Sequence, residues 1–205
     1  PSWLLAVAVI YLPYARERDV LASTTVQTAE LLMQAVDREL ATHIAVLQTL
    51  ATSSRIDDRD FARFHERAVQ VMRQASADNI VLFDPQLRGL VNAARPFGPA
   101  MPAQPQDRFP NVMPTGKPGV SDLFVGQVSK TAQVAVAVPV LRDDAAIGRL
   151  EMVFAPKRFV AVLDQQRLLT GWTAVILDRK GVVVARVPSS DGLVGQPASD
   201  ALLSE

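Results

Sequence analysis

The feature that most constrains this chain is a long run near its N-terminus that contains no glycine and no proline. The run extends from Glu17 to Ser53. Within it, apolar residues recur at steps of four, four, three and four, at Val36, Leu40, Ile44, Leu47 and Ala51. This spacing predicts one α-helix with an apolar stripe. A helix over residues 16–53 would be about 57 Å long, which is more than a compact domain needs for its own core. We therefore expect a stalk helix.

An apolar segment, WLLAVAVIYL, occupies residues 3–12, directly before this helix. It is too short to cross a bilayer alone, because the hydrocarbon core needs about 20 residues of helix. Trp3, Tyr11 and Tyr14 are aromatic residues of the kind enriched at membrane interfaces. We expect residues 1–15 to be the end of a transmembrane helix. A buried core helix or the remains of a signal peptide is the alternative.

A second, shorter helix is predicted after the serine pair that ends the first one. Asp57 or Asp58 is expected to cap it, because aspartate accepts hydrogen bonds from the free amides of a helix start. Its apolar face would consist of Phe61, Phe64, Ala68, Val71 and Met72. The two helices together account for residues 16–76.

After Asn79 the helical period gives way to short apolar runs bounded by turn residues. Residues 80–84 and 90–93 predict a hairpin in which Gly89 takes a positive φ. Three further strands are predicted at residues 120–127, 133–141 and 147–154, and a third helix at residues 157–169. We expect an α+β fold in which the long helix packs on one face of a five-stranded antiparallel sheet.

The pattern of the first hairpin occurs a second time near the C-terminus. Four apolar residues, an aspartate, a turn with glycine and a second apolar run are found around Asp84 and again around Asp178. We interpret them as two copies of one module, with two unrelated hairpins as the alternative. Residues 77–170 would form the first, membrane-distal module. Residues 171–205 would begin a second, membrane-proximal module that is incomplete.

The connection at residues 95–119 holds half of the chain's 14 prolines. A loop of about 25 residues is long for a compact domain, and such loops are often lids or binding loops. Proline stiffens the loop and lowers the entropy cost of ordering it. A variable surface excursion without a role is the alternative.

The two sides of the fourth predicted strand differ in size. Valines face one way, while Ala135 and Ala137 face the other, so volume on that side must be filled by a packed element or by a ligand. Arg149 and Glu151 alternate with apolar residues on the neighbouring strand. Because charges are costly to bury, this pair favours a solvated cavity on that side.

The chain resembles the extracytoplasmic Cache domains, which are PAS-like sensor modules of bacterial transmembrane receptors, in their double-Cache arrangement. The resemblance covers most of the chain and rests on the long helix and on four segments: NIVLFDPQLRGLVNAA, GVSDLFVGQVSKTAQVAVAVPV, IGRLEMVFAPKRF and GWTAVILDRKGVVVARVP. It implies a PAS-like sheet and a domain that binds a small molecule and signals to a cytoplasmic effector. A histidine kinase is the preferred effector, followed by a diguanylate cyclase and a chemoreceptor. It also implies a place in the bacterial inner membrane, with this region in the periplasm or extracellular space.

The resemblance also implies ligand-binding residues. In amino-acid-binding members, an Arg-Pro-aromatic stretch holds the ligand carboxylate and acidic residues hold its amine. Arg95 and Phe97 match that stretch, and Ser121 and Phe124 lie where the family's third strand lines the pocket. Glu151 lies near its acidic strand position. We expect Glu151 to pair with Arg95 in the empty state or to recognise a cationic group on the ligand.

The sequence departs from the family pattern at two points. Gly126 stands where an aspartate is expected, and no tyrosine follows the Arg-Pro-aromatic stretch. These departures leave a small organic anion, such as a carboxylate, or no ligand at all, as alternatives to an amino acid.

Composition and motifs exclude several functional classes. The chain has no cysteine and only His43 and His65 as histidines, which excludes disulfides and Cys/His metal sites. The formal charge is zero, so nucleic acid is not an expected partner. No catalytic or phosphate-binding motif is present, and we expect a non-catalytic region without metal or cofactor. Any kinase or cyclase activity would belong to a further domain of the full-length protein. A homodimer through the long helix is expected. The alternative function is a ligand-free ectodomain for dimerisation or protein interaction.

Overall fold

The computed structural model describes residues 2–98, 101, 107–127, 129–166, 168, 170–188 and 192–198, with side chains described from residue 25 onward. The helices are α1 (Ser2–Ala51), α2 (Ser54–Asp57), α3 (Phe61–Gln74), α4 (Val112–Thr115) and α5 (Lys157–Asp164). The strands are β1 (Asn79–Phe83), β2 (Gly89–Asn92), β3 (Gly119–Val120), β4 (Phe124–Val125), β5 (Ala132–Arg142), β6 (Ala145–Phe154), β7 (Ala174–Leu177) and β8 (Val183–Val187).

Helix α1 is a single helix of 50 residues, longer than the stalk predicted from the glycine-free and proline-free run. No helix of the described residues has an apolar stretch that would cross a membrane. The side chains of Trp3, Tyr11 and Tyr14 lie outside the described part of the chain. The assignment of residues 1–15 to the end of a transmembrane helix stays a prediction.

The second predicted helix begins later than expected. The carboxylate of Asp60 accepts a hydrogen bond from the backbone amide of Arg63 at 3.2 Å and caps α3. The prediction of Asp57 or Asp58 as its cap was wrong, because the separate one-turn helix α2 intervenes. Asp57 instead accepts a hydrogen bond at 2.6 Å from Arg142, at the end of β5, and ties the helical layer to the sheet.

The sheet is antiparallel throughout, in the order β2-β1-β6-β5-β3, with β4 also paired to β5. It has six strands instead of the five predicted, because the expected third strand is divided into β3 and β4. Between them, Ser121 exchanges hydrogen bonds with Ala135 through its amide and its hydroxyl group. The backbone amide of Leu123 donates a hydrogen bond to the carboxylate of Asp178, at 3.1 Å.

The tight turn between β5 and β6 is formed by Asp143 and Asp144, with φ values of 48° and 61°. A two-residue turn with positive φ at both positions matches the twist of the strands that it joins, and aspartate tolerates that conformation. The turn sets the register of the two longest strands, which carry both faces of the sheet.

Helix α1 packs across one face of the sheet, as predicted. Its core residues there include Leu47, which is fully buried, and they meet apolar residues from α3 and from the four longest strands of the sheet. The sheet residues of this core are Ile80, Leu82, Val91, Val136, Val138, Val140, Leu150, Met152 and Phe154. The valine face of β5 is therefore the helix face, and the charged pair of β6 lies on the other side.

Strands β7 and β8 form a separate two-stranded sheet. Ala185 of β8 is fully buried and packs with Phe159 and Leu163 of α5 and with residues of α1. The hairpin is the described part of the predicted second module, and residues 199–205 lie outside the described residues. The division of the chain into two modules stays a prediction.

The two hairpin turns have the same hydrogen bonds. Asp84 accepts hydrogen bonds from the amides of Gln86 and Arg88, both at 2.9 Å. Asp178 accepts them from the amides of Lys180 and Val182, at 2.8 and 2.9 Å. In both turns the carboxylate of the aspartate accepts from the amides two and four residues further along the chain. This shared pattern supports the interpretation as an internal repeat.

The positive φ of the first turn lies at Leu87 (60°) and not at the predicted Gly89. A Cβ atom at Gly89 would lie 2.0 Å from the Cε of Met101, so a larger residue there would require the flexible end of that side chain to move. The glycine lets the loop after β2 pack directly on the strand.

Asp84 makes the first turn sensitive to pH. Burial raises the pKa of Asp84, but hydrogen bonds from the backbone and side chain of Arg88 outweigh that effect and hold the pKa below its usual value. A carboxylate with a lowered pKa stabilises the fold above its unfolded pKa, and this stabilisation is lost as the pH falls through the folded pKa.

We expect Asp84→Asn to lower the free energy of unfolding by about 1–3 kcal/mol at neutral pH. The difference from the unmodified chain should shrink as the pH falls from about 5 towards 2. Urea denaturation at several pH values measures it, with the exposed Asp58→Asn as the control. An equal loss at every pH would contradict an ionic role for this carboxylate.

Candidate functional site

A cavity of about 630 Å³ opens on the face of the sheet opposite α1. Its walls come from β1, β5 and β6, from the loop after β2, from β4 and from the start of α5. Its apolar lining includes Val81, Phe83, Met101, Phe124 and Val153. This volume lies in the usual range for a small-molecule site, about 300–1,000 Å³.

Two small residues of β5, Ala135 and Ala137, were predicted to leave volume for a ligand, but they do not line this cavity. Ala135 and Ala137 are fully buried and covered by Phe109 and Val112 from the long loop. The volume above these alanines was predicted to hold either a packed element or a ligand. It holds a packed element, the long loop. The cavity lies beside that packed region, towards the ends of β4 and β6 and the start of α5.

Arg149 and Glu151 of β6 are both fully buried and form an ion pair with 2.7 Å between Nη2 and Oε1. The expected solvated surroundings of this pair are not found. Arg149 Nη1 donates to Asp107 at 2.7 Å and to the Phe109 carbonyl at 3.4 Å. The aromatic rings of Phe83 and Phe109 lie 5.7 and 5.2 Å from its guanidinium carbon.

Arg108 connects the long loop to the same carboxylate. Its Nη2 donates to Oε2 of Glu151 at 3.0 Å, and its guanidinium carbon lies 4.1 Å from the centre of the Phe124 ring. Only 19% of its side chain is exposed. Its Nε is buried and has no acceptor among the described residues. Arg108 is thus held on one edge by Glu151 and on one face by Phe124, and it is one of the residues that line the cavity.

Arg95 also lines the cavity, but it does not pair with Glu151 as predicted. Both oxygens of Glu151 are taken by Arg149 and Arg108. Within the described part of the chain, the guanidinium of Arg95 makes no ion pair. The carbonyl of Arg95 accepts a hydrogen bond from His65 at 2.7 Å, which anchors the start of the loop on α3.

The five predicted site residues fall into two groups. Arg95, Phe124 and Glu151 all line the cavity. Phe97 is 47% exposed and packs against the ring of His65, with 5.7 Å between centroids, and it is not part of the lining. Ser121 is buried, and its hydroxyl accepts from the amide of Ala135 at 2.9 Å, so it has a structural role.

The charged side chains around the cavity include more cations than anions. Arg95, Arg108 and Lys157 contribute positive charge, and Asp78 and Glu151 contribute negative charge. Asp78 is exposed at the rim, where it accepts a hydrogen bond from the amide of Ala155. Since Glu151 is already paired twice, the site favours an anion.

The position of the missing aspartate is occupied by a neighbouring side chain. A Cβ atom at Gly126 would lie 2.2 Å from the Oε1 of Gln133 and 2.3 Å from the Oγ of Ser129. A carboxylate could enter only if those flexible side chains moved. The cavity here is lined by the uncharged amide of Gln133.

Sequence reasoning did not assign Arg108, Arg149, Asp107 or Lys157 to the site. Arg149 and Glu151 are two residues apart on one strand and therefore point to the same face. That spacing indicated a charged pair on one face, but the expectation of a solvated cavity around it was wrong, because both residues are fully buried. No sequence pattern places Asp107 and Arg108 over β6, because the path of the loop decides it. No group of three or more metal-ligating side chains occurs among the described residues.

The buried ion pair can be tested by a double-mutant cycle. Glu151→Leu should lower the free energy of unfolding by about 3–5 kcal/mol, because it leaves Arg149 buried without its carboxylate. Arg149→Met combined with Glu151→Leu should cost clearly less than the sum of the two single changes. Urea denaturation of all four proteins measures the coupling. Simple additivity would contradict a coupled buried pair.

The chain was compared with known proteins. No protein-family model matches it, and no curated protein matches its sequence. Solved structures do match. The ligand-binding domain of Campylobacter jejuni chemoreceptor Tlp3, in complex with L-valine, has a TM-score of 0.66 at 12% identity, over 87% of this chain and 75% of that chain.

Two further structures give the same result. The ligand-binding domain of Pseudomonas fluorescens chemoreceptor CtaA, in complex with L-serine, has a TM-score of 0.65 at 12% identity, over 84% of this chain and 74% of that one. The ligand-binding domain of Pseudomonas aeruginosa amino acid chemoreceptor PctC, in complex with GABA, has a TM-score of 0.60 at 16% identity, over 86% and 78%. The predicted fold, a long helix packed on an antiparallel sheet, is thereby confirmed.

Proposed function

We propose that this chain is the extracytoplasmic sensor region of a bacterial transmembrane receptor and that it binds a small organic molecule with a carboxylate group. The observation that carries the proposal is the cavity of about 630 Å³ whose lining combines an apolar body with Arg95, Arg108 and Lys157. Guanidinium groups bind carboxylates through two parallel hydrogen bonds. An apolar wall accommodates the rest of a small organic acid.

The fold supports this function. The similar solved structures are ligand-binding domains of chemoreceptors in complex with L-valine, L-serine and GABA, and all three ligands carry a carboxylate. We carry over the sensing of a small carboxylate to this chain. The region itself is non-catalytic in this proposal.

A path from the cavity to α1 is present at the start of α5. Lys157 lines the cavity, and the next residue, Arg158, donates to Oε1 of Glu39 on α1 at 2.6 Å. Glu39 also contacts His43 at 2.9 Å, and the His43 ring packs on Phe154 at the end of β6. A ligand that moves the first turn of α5 would therefore pull on α1.

The receptor that we propose carries this region in the periplasm or extracellular space and is anchored in the inner membrane through residues 1–15. Its cytoplasmic effector would be a histidine kinase, a diguanylate cyclase or a chemoreceptor signalling domain. The similarity to chemoreceptor domains favours the last of these more than the sequence resemblance did.

The ligand site is tested by a thermal-shift screen of organic acids and amino acids. A ligand at 100 times its Kd should stabilise the folded chain by about 2.7 kcal/mol. Arg95→Ala should abolish this shift with little loss of stability in the absence of ligand, because its guanidinium makes no ion pair with the described residues. Arg73→Ala, on α3 and away from the cavity, is the matched control and should keep the shift. A full ligand response in Arg95→Ala, or loss of its fold, would contradict the assignment.

Exposed apolar residues on α1 favour a second candidate function, ligand-independent dimerisation. Val26 and Met33 are 58% and 64% exposed and lie seven residues apart, on one side of the helix. Leu31 is 60% exposed. Val26 and Met33 would be covered if α1 paired with a second copy of itself along this side, whereas Leu31 lies on a different side of the helix.

We expect the chain to self-associate weakly at high concentration, since a short apolar seam buries little area. Val26→Glu combined with Met33→Glu should shift it to monomer, while Gln27→Glu, a charge at an exposed polar position of the same turn, should not. Sedimentation velocity over a concentration series measures this. A chain that stays monomeric at the highest concentration would contradict pairing through α1.

A further inference from the structure

One wall residue of the cavity comes from far along the chain, beyond β8. Val194 lines the cavity together with residues of β1, β4, β5, β6 and the start of α5. It belongs to residues 192–198, which follow the second hairpin. We call β7, β8 and residues 192–198 together the second hairpin unit. The cavity is therefore not built by the first sheet and its loops alone.

Val194 is attached to β8 by the backbone on either side of it. The amide of Gly195 donates a hydrogen bond to the carbonyl of Val183, at 2.9 Å. The amide of Val183 donates in return to the carbonyl of Gln196, also at 2.9 Å. Because this pair of hydrogen bonds fixes the segment on the first residue of β8, the position of Val194 depends on the position of the hairpin.

The turn of the second hairpin binds the chain between β3 and β4. Asp178 accepts a hydrogen bond from the amide of Leu123 at 3.1 Å. Arg179 donates through Nε to the carboxylate of Asp122 at 2.8 Å, and through Nη2 to the carbonyl of Val120 at 3.1 Å. Three polar contacts thus join the second hairpin unit to one short stretch of the first sheet.

The same stretch reaches the cavity at its next residue. Leu123 packs with the apolar residues Val184 and Ala185 of β8, and a Cβ atom at Gly195 would lie 3.9 Å from its Cδ2. Phe124 follows directly and lines the cavity. The second hairpin unit therefore supports one wall of the cavity and supplies part of another.

These contacts can be biased by a molecule in the cavity. The side chain of Arg179 is 70% exposed, and exposed ion pairs hold elements together only weakly. A ligand gains apolar contact with Val194 only while the second hairpin unit is in place. Such a ligand binds the attached arrangement more tightly than a detached one, and it must therefore favour attachment.

We propose that the cavity is shared between the first sheet and the second hairpin unit, that Val194 contacts the ligand, and that an occupied cavity holds this unit more firmly on the first sheet. The inference rests on the proposed function and adds a second output to it, beside the path through α5 and α1. It assigns a sensing role to a part of the chain that lies outside the first sheet.

The contact at Val194 is tested by isothermal titration with two carboxylates, 3-methylbutanoate and L-valine. Val194→Asp places a negative charge in the wall and should weaken the binding of either carboxylate by at least about tenfold. Gln196→Asp, with the same charge at an exposed position two residues away, should leave the affinity unchanged. Unchanged affinity in Val194→Asp would overturn the inference and leave the proposed function intact. Binding of neither compound to the unmodified chain at millimolar concentration would overturn both.

A measurement on the unmodified chain covers the case in which Val194→Asp fails to fold. The methyl groups of Val194 give proton–carbon signals in an NMR spectrum of the ¹³C-labelled chain. Saturation with the carboxylate that binds should shift these signals, while those of exposed Val26 on α1 stay in place. Val194 signals that do not move would also overturn the inference.

The attachment of the unit has a readout that needs no ligand, the hydrogen exchange of the Leu123 amide. Arg179→Ala removes two of the three polar contacts and should speed this exchange about two- to fivefold. Lys117→Ala removes a nearby exposed cation that makes no ion pair with the described residues, and it should have no effect. The carboxylate that binds, at ten times its Kd, should slow the exchange by up to about tenfold. Exchange that responds to neither change would overturn the coupling.

Discussion

The arrangement of this molecule depends on the ion pair between Arg149 and Glu151, which lies fully buried on a central strand. Two charges removed from water need more than each other, because the remaining donors and lone pairs must also be satisfied. Arg149 therefore binds Asp107 and the Phe109 carbonyl through Nη1, and Glu151 binds Arg108, although the Nε of Arg149 has no acceptor among the described residues. All three of these partners belong to the long loop. The pair thus determines where the loop crosses the sheet, and the loop in turn forms a wall of the cavity.

Because the loop crosses only one face of the sheet, the two faces have different roles. One face is apolar and packs on α1 and α3, where burial of large side chains supplies stability. The other face holds the charged pair under the loop, with Ala135 and Ala137 small enough for Phe109 to pack closely on them. A cavity remains where the loop, the sheet and the start of α5 meet. The apolar core and the cavity therefore lie on opposite faces of the same sheet.

The same geometry connects recognition with the long helix. The first turn of α5 lies at the cavity, and the residue that follows Lys157 is the one that pairs with Glu39 of α1. Hydrogen bonds from His43 and Arg158 outweigh the effect of burial and hold the pKa of Glu39 below its usual value, so this carboxylate is charged at neutral pH. The link is partly exposed, and such pairs contribute little to stability. Its importance in the proposed sensor is that it joins the helix at the cavity to the long helix α1.

Much of the fold was determined by local pattern, which the sequence alone contains. The absence of helix breakers predicted α1, alternation of large and small residues predicted the two faces of β5, and the aspartate turns predicted both hairpins, because each depends on neighbours within about ten residues. The family resemblance implied five ligand-binding residues, and three of them, Arg95, Phe124 and Glu151, line the cavity. What only the tertiary structure decided is which charges meet. Arg108 lies 43 positions from Glu151, and no local period describes the path of the proline-rich loop between them. The pairing of Glu151 with two other arginines follows from that path, since a buried carboxylate takes whichever donors the folded chain brings within hydrogen-bonding distance.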